Sequence, residues 1–143
     1  MSVMDVRITS DPLDVAAMQA ELSADPTAGA MTAFVGLVRD HDPEANDVVV
    51  ALDYSAHPDA EVILGEIVRE AIGATGASVS AHHRIGRVAV GEAAVAIVVA
   101  TAHRDEAFTV CRDVIEAIKH SLPVWKRQLT ADGEAAWKGV DPL

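Results

Sequence analysis

Cysteine is nearly absent from this sequence. A single one, Cys111, among 143 residues excludes an internal disulfide framework and any cysteine-rich zinc site. Basic residues are scarce, with 11 Lys+Arg against 22 Asp+Glu and a formal net charge of −11. That balance opposes non-specific nucleic-acid binding, which rests on Lys and Arg neutralising phosphates, and it opposes docking on an anionic membrane surface. The longest apolar stretch, Ala93 to Ala100, is far short of a membrane span. The opening Met-Ser-Val-Met-Asp-Val-Arg has no basic start followed by an apolar run, so a secretory signal is not expected. With one unpaired cysteine, this points to a reducing cytoplasm. There is no glycine-rich phosphate loop, nucleophile elbow or paired-histidine zinc motif. His82-His83 has no carboxylate or cysteine at ligand spacing, and on a strand the two cannot both point inward. No metal site is expected.

Half of the residues are hydrophobic and 23% are charged, which excludes wholesale disorder. The length fits one domain, 1–143, able to bury a core without staples. Charge is unevenly placed. Residues 1–80 hold Arg7, Arg39 and Arg69 against fourteen acidic residues, whereas residues 81–143 balance eight of each sign. An acidic protein that gathers cations locally can build an anion site inside a repelling field; a solvated mixed surface is the plainer reading.

Alternation over Val3–Ile8 predicts a strand, and Ser10-Asp11-Pro12 a helix start ahead of Leu13–Leu22. Ala30–Val38 is a continuous apolar run suited to a buried strand, followed by a polar loop over 39–47. A strand over Val48–Tyr54 precedes a helix from His57-Pro58-Asp59 to Ile72, with Val62, Ile63, Ile67 and Ile72 in its core stripe. Ala77–Arg84 reads as a strand broken by Ile85-Gly86, Val88-Ala89-Val90 leads to a turn at Gly91-Glu92, and Ala93–Thr101 reads as the central strand. Asp105–Ser121 is the longest helix, stopped by Leu122-Pro123. Val124–Leu129 is a strand, Ala131-Asp132-Gly133 a hairpin-type turn, and Glu134–Trp137 a strand pairing back. Helices set among many strands make the class α+β.

Phe108, Cys111, Ile115, Ile118 and Leu122 recur at helical steps and define a buried face of the long helix. Lys119 lies about 20° around the axis from Phe108, on the margin of that face. Two readings stand: a snorkelling lysine whose stem covers core, or an amine in a partly desolvated pocket with an anionic or acyl partner. Cys111, on the apolar stripe, reads as core. His103-Arg104 sits where the central strand hands over to the helix, a place suited to a phosphate or carboxylate clamp. Alternation on the strand after Pro123 sends Lys126 to one face and Trp125 and Arg127 to the other. Arg39 opens a loop, where binding groups are often held.

Taken together, these pieces resemble the large, catalytic subunit of molybdopterin synthase. The matching segments are Phe34-Val35-Gly36-Leu37-Val38-Arg39 with His41, Leu52-Asp53-Tyr54, His83-Arg84-Ile85-Gly86, Val90-Gly91-Glu92, His103-Arg104 with Ala107-Phe108, Ile118-Lys119, Pro123-Val124-Trp125-Lys126-Arg127, and Gly133 with Trp137. The resemblance implies an α/β hammerhead with additional antiparallel sheet and a homodimer. It implies that each protomer binds a small ubiquitin-like sulfur-carrier subunit, whose Gly-Gly tail ends in a thiocarboxylate. The implied substrate is cyclic pyranopterin monophosphate, which receives two sulfurs in turn to become molybdopterin, with no cofactor. Lys119 and Lys126 would be catalytic. Arg39, His103, Arg104 and Arg127 would hold phosphate and pterin, and Phe34, Leu37, Val38 and Gln128 would complete the pocket. Asp40 departs from the Asn usual after the first Arg, and His57 and Ala60 replace a usual Tyr and Met. Some members lend an Arg after the final Trp to the partner protomer; here Val140 and Asp141 follow, and Lys138 is the candidate replacement. The alternatives are a docking module for a ubiquitin-like carrier without turnover, and a dimeric metabolite- or phosphate-binding protein.

Overall fold

The computed structural model describes residues 2–41, 48–131 and the course of the chain over 135–138. The hairpin turn expected at Asp132-Gly133, the loop over 42–47, and Val140 and Asp141 lie outside the described residues. The element order is β1 (Met4–Thr9), α1 (Val15–Ser23), β2 (Ala30–Leu37), β3 (Val49–Ala56), α2 (Ala60–Ile72), β4 (Ser78–Arg84), β5 (Gly86–Ala89), β6 (Ala93–Thr101), α3 (Arg104–Ser121), β7 (Val124–Thr130) and β8 (Ala135–Lys138). One sheet runs β1-β4-β6-β2 and the other β5-β3-β7-β8. Only β1 and β4 pair in parallel; every other pairing among these strands is antiparallel. The α+β class holds. Among the described residues, no helix is long and apolar enough to cross a membrane.

The unbroken apolar run of β6 has a plain cause: both of its faces are covered. Val95, Ile97 and Val99 face α2 and α3 with Leu64, Val68, Val110, Val114 and Ile118. Ala96, Val98 and Ala100 face α1, where Met18 and Leu22 close over them. A third cluster, Val38, Val49, Leu52, Val88 and Ala94, joins the two sheets. Double coverage also corrects the reading of His82-His83. Both are buried, at 8% and 7% exposure, on opposite faces of β4. His82 Nε2 lies 3.1 Å from Asp5 Oδ2 and 3.3 Å from Ser80 Oγ.

Three further expectations give way. Ala30–Val38 was read as a buried strand, but β2 is an edge strand, with Phe34 37% and Leu37 62% exposed. Phe108, expected on the buried face of the long helix, is 64% exposed; the expected Cys111, Ile118 and Leu122 are buried, and Ala107, Val110 and Val114 complete the face. Val62 is 65% exposed, and α2 buries Ala60, Leu64, Ile67 and Val68. Stepwise spacing tolerates a rotation of one position, and apolarity alone does not separate core from exposed surface.

Candidate functional site

The central strand and the long helix together build the site. β6 spans roughly 30 Å over its nine residues. After a two-residue corner α3 returns across the same sheet for about 27 Å. The near match of lengths brings the end of α3, with Ile118, Lys119 and Leu122, back over the start of β6. A cavity of about 430 Å³ lies there, lined also by the end of β2, by β3, by β7 and by His83 of β4. Gly36 is part of the lining, and a Cβ at that position would sit 2.6 Å from Val95 Cγ1, so any side chain there would displace Val95.

Strand pairing explains which residues of the second sheet reach the cavity. Tyr54 lies opposite Lys126, and Leu52 opposite Gln128. Directly opposed residues of an antiparallel pair share a face, and all four line the cavity. Asp53 and Arg127 share the other face, where Arg127 donates from Nη2 to Asp53 Oδ2 at 3.0 Å. The register shift between Val49 and Ala51 lets Val49 join the same lining. At the far side, Val38 N–H donates to the Glu92 carbonyl at 3.0 Å and Gly91 N–H to the Val38 carbonyl at 2.8 Å. These bonds anchor the chain where it leaves β2 and presents Arg39.

Between the two lysines the wall is aromatic and neutral. Tyr54 and His83 meet edge-on, with ring centroids 5.2 Å apart at 72°. Burial pushes the Tyr54 hydroxyl up to about 12. Burial likewise drives His83 down to about 4, helped slightly by the Lys119 charge and opposed by the bond to Arg84. His83 Nδ1 lies 2.8 Å from the Arg84 carbonyl oxygen. A carbonyl only accepts, so Nδ1 carries the proton.

Of the residues expected at a site, Lys119, Lys126, Phe34, Leu37, Val38, Arg39 and Gln128 line this one cavity. Lys119 is exposed, Lys126 half-buried and Gln128 buried. His103 and Arg104 stand elsewhere, beside Gly29, Ala30, Ala102 and Asp105 at the start of α3. Ala30 pairs with Thr101, whereas Leu37 pairs with Ala93. His103-Arg104 and Arg39 therefore flank opposite ends of β2, about 23 Å of strand apart, and the anticipated Arg39–His103–Arg104 cluster does not form within one protomer. Among the described residues no side chain caps the α3 start, and Asp105 and Glu106 add negative charge to its first turn. Arg127 turns away from the cavity to Asp53, as alternation had indicated for Trp125 and Arg127. Lys138 pairs through its backbone with Lys126; its side chain is outside the described residues.

Tyr54 and His83 were not singled out for chemistry from sequence. The signal was there in parity: Val79, Ala81 and His83 share one face of β4, and Leu52 and Tyr54 one face of β3. Cys111 is buried, its thiol pushed up by burial, in keeping with a core role. Among the described residues, no three His, Cys, Asp or Glu side chains are placed to share a metal ion.

Comparison with known proteins gives consistent matches. The family model described as MoaE protein matches residues 8–121. Molybdopterin synthase catalytic subunit 1 of Mycobacterium tuberculosis is 38% identical over 138 residues, covering 95% of this chain and 91% of that protein. The structure of molybdopterin synthase from Staphylococcus aureus superposes with a TM-score of 0.83 at 30% identity, covering 92% of this chain and 95% of that one. A Helicobacter pylori structure, a protein–protein complex of subunits 1 and 2 of molybdopterin-converting factor, shares the fold, with a TM-score of 0.74 at 23% identity, covering 95% and 90%.

Proposed function

This chain belongs to the MoaE family, the catalytic subunits of molybdopterin synthase, and we propose that its lysine-lined cavity is where sulfur is transferred. The single observation that carries this reading is the convergence of Lys119, Lys126 and Arg39 on one cavity beneath the end of α3. Two anions must meet during the reaction: the thiocarboxylate of a carrier tail and cyclic pyranopterin monophosphate. Lys119 and Lys126 neutralise the thiocarboxylate and the negative charge that develops as its sulfur attacks carbon. Arg39 holds the phosphate side, and Phe34, Leu37, Val38 and Gln128 shape the walls. Two sulfurs are delivered in turn, the dithiolene forms, and the cyclic phosphate opens.

The partner is a small ubiquitin-like carrier, the counterpart of the second subunit in the Helicobacter pylori complex. Its tail enters the cavity, and exposed Leu37, Val48, Val50 and Val90 offer an apolar rim on which its body can dock. The chain acts as a single domain, 1–143, in the cytoplasm and as a homodimer. The edge of β2, unpaired among the described residues and flanked by exposed Phe34 and Phe108, supports the dimer. In that dimer His103 and Arg104 of one copy, too far from their own cavity, serve the cavity of the other as an anion anchor, and Lys138 is a further cross-protomer candidate.

Incubating the protein with thiocarboxylated carrier and cyclic pyranopterin monophosphate tests the assignment. Dithiolene product is expected. Tight carrier binding without product would establish the docking-module alternative.

A further inference from the structure

The His83-Arg84-Ile85-Gly86 segment has no part in the proposal above, yet it contributes the most enclosed titratable group of the cavity. His83 is 7% exposed and forms part of the lining opposite Lys119. Its Nδ1 proton is committed to the Arg84 carbonyl, which leaves Nε2 as a lone-pair acceptor and the only polar ring atom available to the cavity. The ring is held from the side by Tyr54, and turning it over would break the Nδ1 bond. Lys119, on the facing helix, lines the same cavity, close enough for its charge to act on the His83 ring. No carboxylate lines the cavity among the described residues; the other ionisable groups there are Arg39 and His41 after β2, Tyr54 on β3 and Lys126 on β7. On α3 itself, Glu116 is drawn toward His120, 4.0 Å away.

We propose that His83 is a positioning residue for the reaction: a neutral acceptor that takes a hydrogen bond from Lys119 Nζ and aims that ammonium at the reacting anion. A cationic ring here would repel Lys119, and burial prevents that at ordinary pH. Tyr54 braces the ring without adding charge. The arrangement gives the long, exposed lysine a fixed direction, and the benefit of fixing a charge before it is needed is a catalytic one. The inference rests on the sulfur-transfer reading of the cavity, so its test has one arm that does not depend on turnover.

The first arm is nitrogen NMR of histidine-labelled protein, with the His83 signals assigned by their loss in His83→Gln. The expected spectrum shows an Nδ1-protonated tautomer whose unprotonated Nε2 resonance shifts in Lys119→Met, while the signals of His57 and His103 stay in place. An Nε2-protonated ring, or an Nε2 signal indifferent to Lys119→Met, overturns the proposal. The second arm compares kinetics of the carrier-loaded enzyme. His83→Phe keeps a flat ring without an acceptor and is expected to lower kcat on the order of a hundredfold, with KM little changed. His83→Gln, whose amide reaches the position of Nε2, is expected to recover most of the loss. Equal losses in the two variants, or a loss confined to KM, contradict a positioning role. Melting curves and carrier binding separate unfolding from either result. If the unaltered enzyme makes no product, the sulfur-transfer reading fails, and the NMR arm still decides whether His83 holds Lys119.

Discussion

Both ends of β2 are cationic, but they are built on different principles. At the Leu37 end, Arg39 joins Lys119 and Lys126 around a half-open cavity whose walls include buried Val38 and Gln128 and the Tyr54–His83 pair. Lys126 is half-buried against low-dielectric walls, where electrostatic stabilisation is strong, while Arg39 and Lys119 are exposed. At the Ala30 end, His103 and Arg104 are exposed beside the α3 start. Within one protomer that end is open to solvent, which screens it; in the proposed dimer it would anchor an anion at the other copy's cavity. On the proposed reading, the difference separates two jobs that a count of basic residues would merge: chemistry at one end, anchoring at the other.

Four substitutions or titrations break or sharpen the contrast. The largest effect is expected at the cavity end. Lys119→Ala or Lys126→Ala should lower kcat by a hundredfold to a thousandfold, on the order of 3–4 kcal/mol of transition-state stabilisation. Lys119→Ala removes an exposed side chain and should leave the melting temperature nearly unchanged, checked by calorimetry.

Next comes the acid response of the same end. His83 is neutral in the fold, with its value near 4, against an unfolded value near 6.5. Between those values the unfolded chain binds the extra proton, so stability is complete above about pH 6.5 and falls as pH drops toward 4. The loss contributed by this group is roughly 3 kcal/mol. Denaturant titrations across that window should show the slope in the unaltered protein and a shallower one in His83→Phe.

The open end should respond more mildly. Arg104→Ala or His103→Ala should raise KM for the cyclic phosphate about tenfold, the scale of one charge-assisted hydrogen bond, with kcat little altered in steady-state assays. The smallest effect is expected at Arg127. Its bond to Asp53 is partly exposed and faces away from the cavity. Arg127→Ala should cost less than about 1 kcal/mol of stability by chemical denaturation and leave turnover near normal.

How much of this was legible beforehand follows from the kind of information each feature needs. β6 and α3 stood out because a continuous apolar run and a helical stripe are local patterns. Alternation on β7 assigned Lys126 and Arg127 to opposite faces, and the pairing of β7 with β3 agrees. The segments resembling a known family placed Lys119, Lys126 and Arg39 in one list of site residues, and the fold gathers those three. Tertiary facts were not legible. Nothing in the run Ala30–Val38 says that β2 is an edge strand, since a half-exposed interaction surface is as apolar as a core. Phe108 misled for the same reason. His82-His83 misled because the sheet is covered on both faces, a property of the helices around it. The separation of Arg39 from His103-Arg104 depends on the β2–β6 register, which no single segment encodes.

The division between the two ends of β2 is tested most directly by product formation at saturating substrate. Lys119→Ala and Arg104→Ala proteins, each shown to be folded and to bind carrier, would be mixed with thiocarboxylated carrier and excess cyclic pyranopterin monophosphate. Dithiolene would then be quantified over one turnover. The account expects almost none from Lys119→Ala and near-normal product from Arg104→Ala, whose weakness is in binding alone. Near-normal product from Lys119→Ala, or none from Arg104→Ala despite saturation, would contradict it.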